Sequence, residues 1–204
     1  MNYSAVKTSA CTYLGFYGAL DNASYDLLDG CLDEILKIHR FRHIEKYYAK
    51  APEFLNKQPY TDYLSGAEGL YLCAMTLGAE VDIHVRRLMC TDMPRAVVCD
   101  ACASALLEQL SDEYESKLAE RVSYRFCSGY GGSSVEDIKR IFRELKPERI
   151  GMELLPSGLI APQKSMAGVV AVGKDEKKSC RNCMLLEKCQ FRREGVTCYK
   201  SETK

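Results

Sequence analysis

No stretch of this chain approaches the roughly 20 consecutive apolar residues that a bilayer-spanning helix needs, the longest clean run being Met166 to Val172. A membrane span is therefore not expected. Net charge is also missing, with 28 Lys and Arg against 28 Asp and Glu. No aromatic-rich reading surface accompanies the basic tail, so nucleic acid is not an expected partner. Met1 to Leu20 lacks the charged, apolar and small-residue series of a secretory leader, and the 11 cysteines are odd in number. Both observations point to a reducing compartment and a cytoplasmic location. A length of 204 residues accommodates one substantial domain with an appendage. No internal repeat is visible.

What the chain does have is cysteine in order. Cys180, Cys183, Cys189 and Cys198 follow a C-x2-C-x5-C-x8-C spacing in a tail too poor in apolar residues to build a core. Thiolates around a metal supply the missing cohesion, because the first pair reaches one ion or cluster corner from a single tight turn. Four thiolates suit a [4Fe-4S] cluster or, as the alternative, Zn. Disulfides are the remaining possibility. From Lys174 to Lys204 there are 9 Lys and Arg against 5 Asp and Glu, a formal +4 that bound thiolates offset. A second C-x2-C, Cys99 and Cys102, falls inside a helical pattern with no strand-to-helix redox setting and reads as a pair of reduced core cysteines.

Periodicity organises the rest. Leu28, Cys31, Leu32, Ile35, Leu36 and Ile38 mark one face of an amphipathic helix expected from Ala23 to Lys50, capped by Asp21 or Asn22. His39 and His43, four apart on its basic half, read as a solvated face because no third ligand is near. Leu70 to Leu77 reads as a buried strand. Ala79 to Cys90 returns to the helical period, and Asp92 caps a longer helix with Pro94 in its first turn. Val122 to Cys127 reads as a strand, and Ser133 with Glu136 as a capping box for a helix from Val135 to Leu145. Short strands are expected around 151–155, 158–160 and 166–172. The fold class is α+β, with long helices packed on a twisted, mostly antiparallel sheet. The division is a body over 1–173, then a charged linker and four-cysteine metal-binding tail over 174–204.

The loop R-F-C-S-G-Y, Arg125 to Tyr130, joins a guanidinium able to grip a carboxylate, a glycine that admits close backbone approach and an aromatic hydroxyl. Such a loop is capable of seating a nucleoside ligand with an amino-acid end. Taken alone, the same composition is more often that of a plain strand-to-helix connection. With the following helix and I-G-M-E-L-L-P-S-G-L-I-A-P-Q-K-S-M-A-G-V-V-A-V-G, the chain resembles the reactivation domain of cobalamin-dependent methionine synthase, especially its short stand-alone relatives. Tyr13-Leu14-Gly15-Phe16, Thr76-Leu77-Gly78, Val81-Asp82, Arg86-Arg87 and Asp100-Ala101-Cys102-Ala103-Ser104-Ala105 are similar to patterns in those relatives, as is the cysteine tail with Phe191-Arg192.

That resemblance implies a domain that binds S-adenosylmethionine and presents its methyl group to a corrinoid held by a partner, a methionine synthase or another corrinoid methyltransferase. One-electron reduction coupled to methylation then restores the methyl-cobalt form, from an electron donor the sequence does not identify. The resemblance places Arg125 on the ligand carboxylate, Gly129 and Tyr130 against the nucleoside, and Glu108 near the ammonium and sulfonium. No residue is assigned an acid–base role, since the task is positioning. The loop departs from the family pattern at Cys127, Ser128 and Gly131, and the tyrosine after the last strand has no counterpart. No D-x-H-x-x-G motif is present to hold cobalamin, which belongs to the partner alone. An iron–sulfur or zinc module without S-adenosylmethionine-dependent activity is the alternative.

Overall fold

The first helix, α1 (Tyr3–Tyr13), lies upstream of the first one that periodicity marks, and Asn2 caps it by accepting from the Ala5 amide at 3.1 Å. We describe a computed structural model, covering residues 2–129, 131–176, 179–180, 187–195 and 197. Helix α2 (Asn22–Ile38) begins where expected, with Asp21 Oδ1 accepting from the Ser24 amide at 2.8 Å. It buries Leu28, Cys31, Leu32 and Ile35. It does not continue to Lys50. The chain leaves the helix at His39 and enters β1 (Arg42–Tyr48). Ile44, Tyr47 and Tyr48 favour the extended backbone, and pairing with the next strand overrides the helical period. His43 therefore lies on a strand, stacked on Tyr114 with ring centroids 3.7 Å apart. Arg42, Glu45 and Lys46 keep this edge charged, which discourages pairing with other chains.

After a short turn of helix, α3 (Tyr60–Tyr63), comes β2 (Gly69–Thr76), the buried strand expected at Leu70 to Leu77. Next are α4 (Ala79–Thr91) and α5 (Met93–Glu115). Asp92 ends the first and caps the second, accepting from the Arg95 amide at 3.1 Å. Pro94 sits in the first turn, where its missing N–H removes no helical bond. Cys99 and Cys102 are fully buried on α5, as read from the sequence.

The strand expected from Val122 to Cys127 is shorter, with β3 only at Phe126–Cys127 and an isolated bridge at Val122. Helix α6 (Asp137–Leu145) starts later than expected and without the capping box. Ser133 instead accepts from the Gly129 amide at 2.9 Å, and Ser134 from the Glu136 amide at 3.1 Å. The hairpin of β4 (Glu153–Leu154) and β5 (Ile160–Ala161) turns through Pro156 to Gly158, and β6 (Ser165–Val172) completes the main sheet. In the tail, α7 (Gln190–Arg193) follows Cys189.

The four-stranded sheet has the order β1-β2-β6-β3 and is antiparallel throughout, with Tyr71 opposite Val170 and Phe126 opposite Val169. Strand alternation sorts its two faces. Cys73, Met75 and Val170 face α1, α2, α4 and α5, whereas Leu70, Leu72, Val169 and Ala171 face Tyr60, Ile141, Phe142 and Met152. The result is an α+β fold with a sheet covered on both faces. Among the described residues no helix is long and apolar enough to cross a membrane.

Candidate functional site

Arg125 enters the interior just before β3, passing over Gly168 of β6. A Cβ at Gly168 would stand 2.9 Å from Arg125 Cγ and 2.7 Å from the Phe126 carbonyl oxygen, so only glycine leaves this crossing open. The Arg125 side chain is 2% exposed and ends against α5. There Glu108, Asp112 and Glu115 occupy one face, their spacings of four and three residues matching the helical turn. Arg125 Nη1 donates to Glu115, and Nη2 donates to Glu108 at 2.6 Å, with Asp112 at 4.0 Å. The buried Nε has no partner among the described residues. Burial pushes the Glu115 carboxyl up to about 7 in spite of the adjacent guanidinium.

Glu108 is partly exposed, and it faces the end of a cavity of about 430 Å³. Helix α5 supplies one wall through Val97, Asp100, Ser104 and Glu108, the connection before β6 supplies Lys164, and β6 supplies Met166. Tyr13, at the end of α1, closes a third side. Lys164 Nζ is held at 2.8 Å from both Asp100 Oδ1 and Ser104 Oγ. Asp82 accepts from the Gln163 amide at 2.6 Å and so fixes the connection between β5 and β6. The cavity combines an apolar floor with carboxylates at two points and one paired ammonium. This suits a small polar ligand with a cationic or hydroxyl-bearing part, and 430 Å³ lies within the range of about 300–1,000 Å³ usual for such sites.

The loop beyond Arg125 is held from below. Tyr60 Oη lies 2.8 Å from Ser128 Oγ and donates to Asp137 Oδ2 at 3.2 Å, while Lys57 pairs with Asp137 Oδ1 at 2.8 Å. Gly129, Gly131 and Gly132 all have positive φ, at 92°, 58° and 84°, so the turn needs residues without a Cβ.

The structure thus brings Arg125 and Glu108 into direct contact. It puts Gly129 in the loop four residues on, outside the lining of the cavity, and Tyr130 lies outside the described residues. Of the four tail cysteines, Cys180 and Cys189 are half-buried, and Cys183 and Cys198 lie outside the described residues. Sequence reasoning passed over Glu115, and it met Asp100 and Lys164 only inside the motifs of the resemblance, without a site role. The spacing of Glu108, Asp112 and Glu115 on a helix is the signal that marks the first, whereas Asp100 and Lys164 meet only through the tertiary fold.

No family model and no curated protein matches the chain. Among solved structures, the fold is similar to one described as the MetH reactivation domain bound to AdoHcy, with a TM-score of 0.55 and 15% sequence identity. The match covers 89% of this chain and 76% of that one. At this identity the likeness is one of fold.

Proposed function

We propose that the chain binds S-adenosylmethionine and supports reductive methylation of a corrinoid held by a partner methionine synthase or other corrinoid methyltransferase. The carrying observation is the fold likeness over 89% of the chain to a domain bound to AdoHcy, combined with the Glu108–Arg125 contact beside the cavity. The residues present fit such a ligand. Glu108 offers a carboxylate to an ammonium or ribose hydroxyl, Arg125 holds Glu108 from behind the cavity lining, and the cavity has suitable size. Gly129 and Tyr130 are proposed to border the nucleoside. S-Adenosylmethionine supplies an electrophilic methyl group on a sulfonium. The contribution of the chain is to orient that group and exclude water, with Lys164 and Asp100 neutralising each other so that no net charge is added beside it.

Cys180, Cys183, Cys189 and Cys198 are proposed to hold a [4Fe-4S] cluster, with zinc as the alternative. Their four thiolates are a donor set for either. When bound, a cluster supplies one-electron chemistry and zinc a structural staple.

A second reading, a metal-binding module without S-adenosylmethionine-dependent activity, is favoured by one observation. Both terminal nitrogens of Arg125 are already engaged by Glu115 and Glu108. Calorimetry with S-adenosylmethionine separates the two. Saturable binding that weakens by roughly tenfold or more in Glu108→Gln supports the first reading, because a charge-assisted hydrogen bond is worth about 1.5–3 kcal/mol. No heat of binding in the wild-type protein supports the second. Return of the methyl-cobalt spectrum in a Co(II) methionine synthase lacking its own reactivation domain, supplied with reductant, then tests the activity itself.

A further inference from the structure

On the far side of α5 from Arg125, three helices bring together metal-ligating groups that the proposed function leaves unused. Glu34 of α2, His84 of α4 and Cys99 of α5 each offer one ligand atom, and the three atoms lie within 4.8 Å of one another. His84 Nε2 lies 3.0 Å from Glu34 Oε2, and Cys99 Sγ lies 3.9 Å from the same oxygen. Ideal tetrahedral zinc places a nitrogen and an oxygen ligand about 3.3 Å apart, and a sulfur and an oxygen about 3.6 Å apart. The nitrogen–oxygen separation is shorter and the sulfur–oxygen separation longer than those values, and all three atoms lie within 4.8 Å, so side-chain rotation is what closes the site around an ion.

The geometry points to a site for one borderline-soft divalent cation of the zinc class, bound by Glu34 Oε2, His84 Nε2 and Cys99 Sγ. The neighbours fit that role. Arg95 pairs with Glu34 Oε1, which fixes the carboxylate and leaves Oε2 for the metal. Cys31, one helical turn before Glu34, donates to the Arg95 carbonyl at 3.8 Å and so packs α2 against the turn of α5 that carries Cys99. Cys99 is fully buried, while the side chains of Glu34 and His84 are 32% and 28% exposed. A bound cation is therefore covered from the core side and keeps its fourth position toward solvent, for water or an incoming ligand. Thiolate and carboxylate bring two negative charges to the divalent ion, and the Arg95 guanidinium on Glu34 Oε1 stays beside them. The site ties α2, α4 and α5 together at a place remote in sequence from the tail cysteines.

The test uses the full chain carrying Cys180→Ser, Cys183→Ser, Cys189→Ser and Cys198→Ser, so that tail thiolates do not compete, titrated with Co²⁺ under anaerobic conditions. The expected result is one Co²⁺ per chain, with thiolate-to-cobalt charge transfer and the d–d bands of a four-coordinate ion, both erased by one equivalent of Zn²⁺. His84→Ala changes a half-exposed residue and spares the core, and circular dichroism checks its fold. His84→Ala and Cys99→Ser should each weaken Co²⁺ binding by roughly 100-fold or more, beyond what removal of an orienting neighbour does. Absence of the cobalt spectrum, or its retention at undiminished affinity in either folded variant, overturns the assignment.

Discussion

At Gly168 a methyl group would collide with the Phe126 carbonyl oxygen and with Arg125 Cγ. The two residues therefore depend on each other. Gly168→Ala should destabilise the protein by about 1–3 kcal/mol, the usual effect of overpacking, and loosen the Arg125 contacts on α5. Urea denaturation with near-ultraviolet circular dichroism measures both. Glu115 carries a pH signature at the same place. Its carboxyl titrates at 4.5 when unperturbed and is pushed up to about 7 in the fold, by burial first, with Arg125 pulling the other way. Between those values the folded state holds a proton that the unfolded chain has lost. Its stabilising contribution is thus complete below about pH 4.5 and is lost as pH rises through about 7. The full change is on the order of 3 kcal/mol, and Glu115→Gln should remove it. Urea unfolding of the two proteins at pH 5 and pH 8 checks this. A wild-type slope no steeper than that of Glu115→Gln refutes the assignment.

At the scale of elements, the boundary between α4 and α5 shows what was legible. Asp92 followed by Pro94 is a local signal, complete within a few residues, and the structure places the cap there. Asp92→Ala should cost about 1 kcal/mol, since the Arg95 amide loses its acceptor while the packing of α5 remains. Thermal unfolding measures it. Strand β1 was not legible, because the apolar period of α2 runs on without a breaker and only pairing with β2 stops it. Ile44 opposite Ala74 is a contact made across the sheet, which local composition does not encode. Helix α1 was missed for a related reason. Only Val6 and Ala10 are buried on it, too few to stand out as an apolar face. The candidate site divides in the same way. Arg125 and Glu108 were found through a resemblance, but their direct contact depends on the pairing of β3 with β6, which carries Arg125 over Gly168 to α5. The cluster of Glu34, His84 and Cys99 draws one residue from each of three helices, so no spacing along the chain announces it.

At the scale of the whole molecule, the question is where the body ends. Composition places the start of the linker at Lys174, but the first linker residues are attached to the body. Lys174 Nζ donates to the Tyr63 carbonyl at 2.7 Å and to the Ser65 carbonyl at 3.2 Å, and the Glu176 carbonyl accepts from the Tyr124 amide at 3.0 Å. The last of these bonds is close to Arg125 in sequence and braces the approach to β3. A fragment ending at Glu176 keeps all three, whereas one ending at Gly173 loses them and exposes Tyr63 beneath. The longer fragment should unfold cooperatively at nearly the stability of the full chain. The shorter should be weaker by about 1–3 kcal/mol, as expected from losing a few hydrogen bonds, one of them charged. If the cysteine tail contributes its own cohesion through metal, removing it leaves the body intact, so chelation should alter the spectrum of the full chain more than its unfolding midpoint. Urea denaturation of the two fragments and of the full chain, with and without chelator, measures each difference. Equal stability of the two fragments would show that the body closes at Gly173, and a large loss in the longer one would show that the tail is part of the core.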